Sequence, residues 1–78
     1  MKIVIGNLPD DSTEEGLRDA LSGIVEVGSI LLLNESGTPS AVIEMNITRV
    51  QADALAKRIH GRIYKGRELR AWVPLEHS

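Results

Sequence analysis

Two stretches of this chain return apolar residues with the period of a helix, and each opens on a capping signal. Leu17, Ala20, Leu21 and Ile24 recur at i, i+3, i+4 and i+7 after Ser12-Thr13-Glu14-Glu15; Ala52, Leu55, Ala56 and Ile59 repeat that spacing after Thr48 and Gln51. Such a period gathers the apolar side chains on one face of each helix. Ser12 with Glu15 makes a capping box for the first helix, with Thr13 as the rival cap. Thr48 with Gln51 makes one for the second, which Gly61 stops. Gly16 weakens the opening turn of the first helix by up to about 1 kcal/mol. Two one-sided helices need a second layer to cover them, and what remains of the sequence is of strand type.

Residues 2–6 alternate, Ile3 and Ile5 on one side and Lys2, Val4 and Gly6 on the other, and stop at the turn Asn7-Leu8-Pro9-Asp10. Ile30 to Leu33 reads as a second strand, Glu35-Ser36-Gly37-Thr38-Pro39 as a turn, and Ala41 to Met45 as a third strand. A final strand runs from about Glu68 to Val73 and closes at Pro74. The order βαββαβ predicts an α+β sandwich: a four-stranded antiparallel sheet with both helices on one face and the other face open. Alternation sends Ile3, Ile5, Ile30, Leu32, Ala41, Ile43, Met45, Leu69, Ala71 and Val73 toward the helices. Val4, Leu31, Leu33, Val42 and Trp72, with Arg70 between, are left for the open face.

A chain of 78 residues holds one domain, assigned to residues 1–74; Leu75-Glu76-His77-Ser78 resembles the start of a tag junction and is set aside. A core of this size supplies roughly 3–5 kcal/mol of net stability, which favours a binding module over a deep catalytic cleft. The longest apolar run is Ile30 to Leu33, far below the roughly 20 residues that span a bilayer, and no secretory leader is visible. The expectation is a cytoplasmic protein without a membrane partner. There is no cysteine, and the histidines are His60 and His77. Neither a Gly-rich phosphate loop nor Ser-His-Asp order nor metal-ligand spacing is present, so no catalytic residue, cofactor or metal site is expected. The formal charge of −2 conceals a division. Asp10, Asp11, Glu14, Glu15, Asp19, Glu26, Glu35 and Glu44 face Arg18 alone over residues 10–44, whereas Arg49, Lys57, Arg58, Arg62, Lys65, Arg67 and Arg70 outweigh Asp53 and Glu68 over 49–70. Solvated helix faces account for such a layout, and it can also orient a partner.

Ile3-Val4-Ile5-Gly6-Asn7-Leu8 followed by Pro9 resembles the hexamer signature of the RNA recognition motif (RRM) family. Thr13 to Leu21 is similar to its first helix, and Thr38 to Met45 stands in the place of its octamer signature. Ile59-His60-Gly61-Arg62-Ile63-Tyr64-Lys65-Gly66-Arg67-Glu68-Leu69-Arg70-Ala71 is similar to its run from second helix into last strand. The resemblance covers residues 2–73 and implies a ferredoxin-like sheet whose strands lie in the order fourth, first, third, second. It also implies single-stranded RNA as partner, since bases stack on aromatics at three sheet-face positions in this family. Those positions carry Val4, Ser40 and Val42. The usual leading base of the octamer is Thr38, its Gly is Pro39, and Glu44 adds an acid that repels phosphate. Each base stack is worth roughly 1–3 kcal/mol, so the expected affinity for RNA is low. Nucleic-acid contacts would fall to Lys2, Asn7, Arg67, Arg70 and Trp72 around Val4, Ser40 and Val42. The small acyl-phosphate hydrolases and the metallochaperones that share the βαββαβ order drop out, because the first needs a glycine-flanked Arg loop and the second Cys-x-x-Cys.

The aliphatic band supports a second reading, in which a protein partner or a second copy of the chain docks on Val4, Leu31, Leu33, Val42 and Trp72. Burying five such side chains returns about 8–15 kcal/mol gross, against about 4–15 for association. Trp72 is either a core residue or, because the alternation that buries it would bury Arg70 as well, an exposed stacking residue or interface anchor. Tyr64 either packs its ring over the end of the second helix or acts in recognition. In the latter reading, Arg62-Ile63-Tyr64 resembles the Arg-x-aromatic signature of a splicing-factor RRM subfamily that binds tryptophan-bearing peptides beside an acidic first helix.

Overall fold

Both helices lie on one face of a four-stranded antiparallel sheet in the computed structural model, which describes residues 1–24, 26–34 and 37–74. The elements are β1 (Lys2–Gly6), α1 (Glu14–Leu21), β2 (Ser29–Leu33), β3 (Ser40–Glu44), α2 (Arg49–Ile59), β4 (Ile63–Tyr64), β5 (Arg67–Glu68) and β6 (Arg70–Trp72). The main sheet runs β2-β3-β1-β6, and β4 and β5 form a separate two-stranded ribbon. With the last strand numbered β6, this is the strand order the family resemblance implies. The tail from Leu75 and the Glu35-Ser36 part of the expected turn lie outside the described residues.

Period-2 alternation places the core as the sequence implies. Ile3, Ile5, Ile30, Ala41, Ile43, Met45, Leu69 and Ala71 are buried against Leu17 and Leu21 of α1 and Ala52, Leu55, Ala56 and Ile59 of α2, with Leu32 and Val73 partly buried at the margin. Leu8 joins them at 0% exposure, although its position in the turn gives no alternation to reveal it. Its backbone N–H donates to the Pro39 carbonyl at 3.1 Å, which holds the β1–α1 loop beside the start of β3.

The capping box of α2 is complete: Gln51 N–H donates to Thr48 Oγ1 at 3.2 Å, and Thr48 N–H to Gln51 Oε1 at 2.9 Å. In α1 the cap is Thr13, not Ser12. Thr13 Oγ1 accepts from Gly16 N–H at 3.0 Å, while Ser12 Oγ donates to the Pro9 carbonyl at 2.7 Å and closes the preceding turn. The helix ends at Leu21, so its inward stripe narrows to Leu17 and Leu21. Ala20 is exposed, and Ile24 packs on the core from the turn beyond. Arg18, the single base of the acidic half, joins α1 to the approach of β2 by donating to the Val27 carbonyl at 3.1 Å.

The segment expected to lead directly into the last strand contains a hairpin first. Tyr64 pairs with Arg67 and Ile63 with Glu68 around Lys65-Gly66, whose φ values of 50 and 85° are those of a two-residue hairpin turn. The final strand is correspondingly shorter than its sequence limits, with Glu68 belonging to β5.

Candidate functional site on the open sheet face

The face away from the helices is organised by strand register into transverse rows. Leu31 pairs with Val42, Val42 with Val4, and Val4 with Trp72, so one row of apolar side chains crosses all four strands. At about 4.8 Å between strands this row is about 14 Å long. On one side of it Ser29, Glu44 and Lys2 form a polar row; on the other, Leu33 pairs with Ser40, and Gly6 pairs with Arg70. Leu31 is 59% and Trp72 47% exposed, and Val4, Leu33, Ser40 and Val42 are half-buried. Trp72 is therefore a surface residue and not part of the core.

Trp72 has a seat. Its Cη2 and Cζ3 atoms lie 3.3 Å from where a Cβ on Gly6 would stand, so the indole leans over a place on β1 that is bare because residue 6 has no side chain. Gly6 is also the cross-strand partner of Arg70, so the indole edge and the root of the Arg70 side chain share one short stretch of β1. Alternation puts Gly6 on the outward side of β1 without saying what it meets; a glycine there marks close approach by another group, here the Trp72 indole.

The expected basic contacts divide. Arg70 is exposed and forms no ion pair among the described residues. Lys2 is exposed and forms no ion pair among the described residues, although its cross-strand neighbour is the acid Glu44. Arg67 and Asn7 hold each other: Arg67 Nη2 donates to Asn7 Oδ1 at 2.7 Å, and Asn7 Nδ2 donates to the Glu68 carbonyl at 2.7 Å. Arg67 Nε is buried without a hydrogen-bond partner, and Asn7 has a left-handed φ of 61° that its short polar side chain tolerates. This pair clamps the end of β1 to β5.

Tyr64 is half-buried, and its hydroxyl reaches α1, 3.0 Å from where a Cβ on Gly16 would be. The Lys65 ammonium stands 5.5 Å from the Tyr64 ring centroid and 3.8 Å from Asp11 Oδ2, covering the ring and tying the hairpin to the loop before α1. Tyr64 therefore closes a contact within the domain, while Arg62 is exposed. Gly16, costly for an isolated helix, is what admits the tyrosine hydroxyl.

Residues 3–70 match the family model described as RNA recognition motif. The chain belongs to the RRM family. No curated protein sequence matches it. Among solved structures it is similar to RNA binding protein PG1, with 26% identity, a TM-score of 0.76 and coverage of 100% of this chain and 98% of that one. The Rna15 RRM with bound RNA (GU) aligns at 20% identity and TM-score 0.77, covering 96% of this chain and 83% of its own. The second RRM domain of yeast poly(U)-binding protein Pub1 aligns at 21% identity and TM-score 0.73, with coverages of 97% and 98%. As an RRM, the chain departs from the stacking pattern at Val4, Ser40 and Val42 and keeps one aromatic, Trp72, on the same face.

Proposed function

We propose that this RRM binds single-stranded RNA on its open sheet face, without catalysis and with low affinity, through one stacked base. The observation that carries the reading is the half-exposed indole of Trp72 seated over Gly6 next to Arg70. A base stacks on the indole, the Arg70 guanidinium meets the adjoining phosphate, and neighbouring bases lie against Val4 and Val42, which exclude water but offer no π face. The RNA held by the Rna15 RRM and the poly(U) named for Pub1 support the choice of ligand. One stack in place of several accounts for the weakness, at roughly 1–3 kcal/mol each.

Trp72 is the sole tryptophan, so its emission reports on the site. Titrating a mixed-sequence oligoribonucleotide pool at low salt should quench it saturably, and Arg70→Glu should abolish the quench. An unchanged emission, or a quench indifferent to Arg70→Glu, overturns the reading.

The 59% exposure of Leu31 favours a second reading, in which two copies pair through Val4, Leu31, Leu33, Val42 and Trp72. A sedimentation coefficient that rises with concentration, and ceases to rise in Leu31→Glu, supports it. A coefficient independent of concentration removes it.

A further inference from the structure

We infer that the groove between α2 and β6 receives the nucleotide next to the one stacked on Trp72, so that the RNA path continues over the β6 edge of the sheet. The inference rests on the RNA reading of the open face. The groove has a volume of about 550 Å³ and is lined by Ala56, Ala71 and Val73 with Asp53, Lys57 and His60 at its rim; Trp72 forms its remaining wall. Trp72 lines the groove and carries its indole on the open face, so the groove adjoins, across the β6 edge, the place where a base would stack.

The chemistry suits a nucleotide. Ala56 and Ala71 give a small-residue floor that a base can approach closely. His60 Nδ1 accepts the Ala71 backbone N–H at 3.1 Å. An imidazole that accepts at Nδ1 carries its proton on Nε2, so the exposed ring offers a donor to a phosphate or carbonyl oxygen. Lys57 is exposed and forms no ion pair among the described residues, whereas the Asp53 carboxylate is met by Arg49 Nε at 4.0 Å. The rim therefore presents one cation and one N–H donor, beside an acid that Arg49 meets from the preceding turn.

Strand addition, the other use of a sheet edge, is obstructed. The Leu69 N–H donates to the Arg62 carbonyl at 2.7 Å, the Leu69 carbonyl accepts from Gly61 N–H at 2.8 Å, and His60 takes the Ala71 N–H. A peptide strand would find these backbone groups already paired.

The test measures binding of the whole chain to mixed-sequence oligoribonucleotide pools of about three and about seven nucleotides, one below and one above the shortest single-strand sites of about four nucleotides on small domains. The wild-type protein should bind the longer pool more tightly. Lys57→Ala should remove most of that advantage and lower the salt slope for the longer pool by about 0.7, the contribution of one phosphate contact on a single strand. Lys57→Arg should keep both, and affinity for the shorter pool should follow Trp72 and Arg70 and not residue 57. If the shorter pool binds but Lys57→Ala leaves the length advantage and slope intact, the groove is overturned and the open-face reading stands. If neither pool binds the wild-type protein, both fall.

Discussion

Replacing Gly16 with alanine distinguishes a helix position that is merely weak from one shaped by a distant side chain. On helix propensity alone, Gly16→Ala stabilises the protein by about 1 kcal/mol. The new Cβ would stand 3.0 Å from Tyr64 Oη and 3.1 Å from Thr13 Oγ1. The threonine contact is tolerable, because residues with a Cβ are ordinary at N3 behind a threonine cap. The tyrosine must therefore yield, and crowding a packed site costs about 1–3 kcal/mol. Crowding offsets or exceeds the propensity gain, so the single substitution is predicted to leave stability unchanged or lower it by up to about 2 kcal/mol. Tyr64→Phe removes the obstructing oxygen, and in that background Gly16→Ala should stabilise by about 1 kcal/mol. For a domain of this size each kcal/mol moves Tm by roughly 4–8 °C, so thermal melts of the four proteins in the cycle resolve the coupling. An equal rise in Tm of about 4–8 °C from Gly16→Ala in either background would refute the packing argument. It would also free Tyr64 for the peptide-binding role that the Arg62-Ile63-Tyr64 resemblance implies.

Other substitutions separate fold from function. Asn7→Ala loses the bonds to Arg67 and Glu68 and forces alanine into a left-handed conformation, so urea unfolding should show a loss of about 2–4 kcal/mol; Asn7→Gly, which relieves only the backbone, should recover about 1 kcal/mol of it. Trp72→Ala should weaken RNA binding about 5- to 150-fold, the equivalent of one base stack, as read by anisotropy of a labelled oligonucleotide, with a circular dichroism spectrum that still shows a folded domain. Arg67→Ala should lower Tm, read by a thermal melt, because it removes the Nη2 bond to Asn7 that ties the end of β1 to β5.

The sequence made the layers legible and left the joints obscure. The α2 helix announced itself twice, in the Thr48–Gln51 box and in the stripe Ala52, Leu55, Ala56, Ile59, because both signals are local. The open-face row followed from alternation, since a period of two leaves no choice about which side Val4, Val42 and Trp72 take. Contacts between segments carry no such period. Asn7 meets Arg67 sixty positions later, and Tyr64 meets Gly16 across the fold. The β4–β5 hairpin was hidden for another reason: strands of two residues are too short to alternate. At α1, two cap residues stood side by side, and the turn hydrogen bond of Ser12 to Pro9 left the helix to Thr13. Asn7 and Arg67 match a basic, polar RNA-contact pattern by residue type, and no residue type announces the bond they also make to each other.

The central claim, that RNA binds on the open face around Trp72, is tested most directly by an NMR shift map of the whole chain with a mixed-sequence RNA pool, run beside a concentration series without RNA. The prediction is a set of shifts at Val4, Gly6, Val42, Arg70 and Trp72 that saturates with RNA and is absent from the concentration series. Shifts confined to the exposed sides of α1 and α2, or open-face shifts that appear on concentration alone, would contradict it.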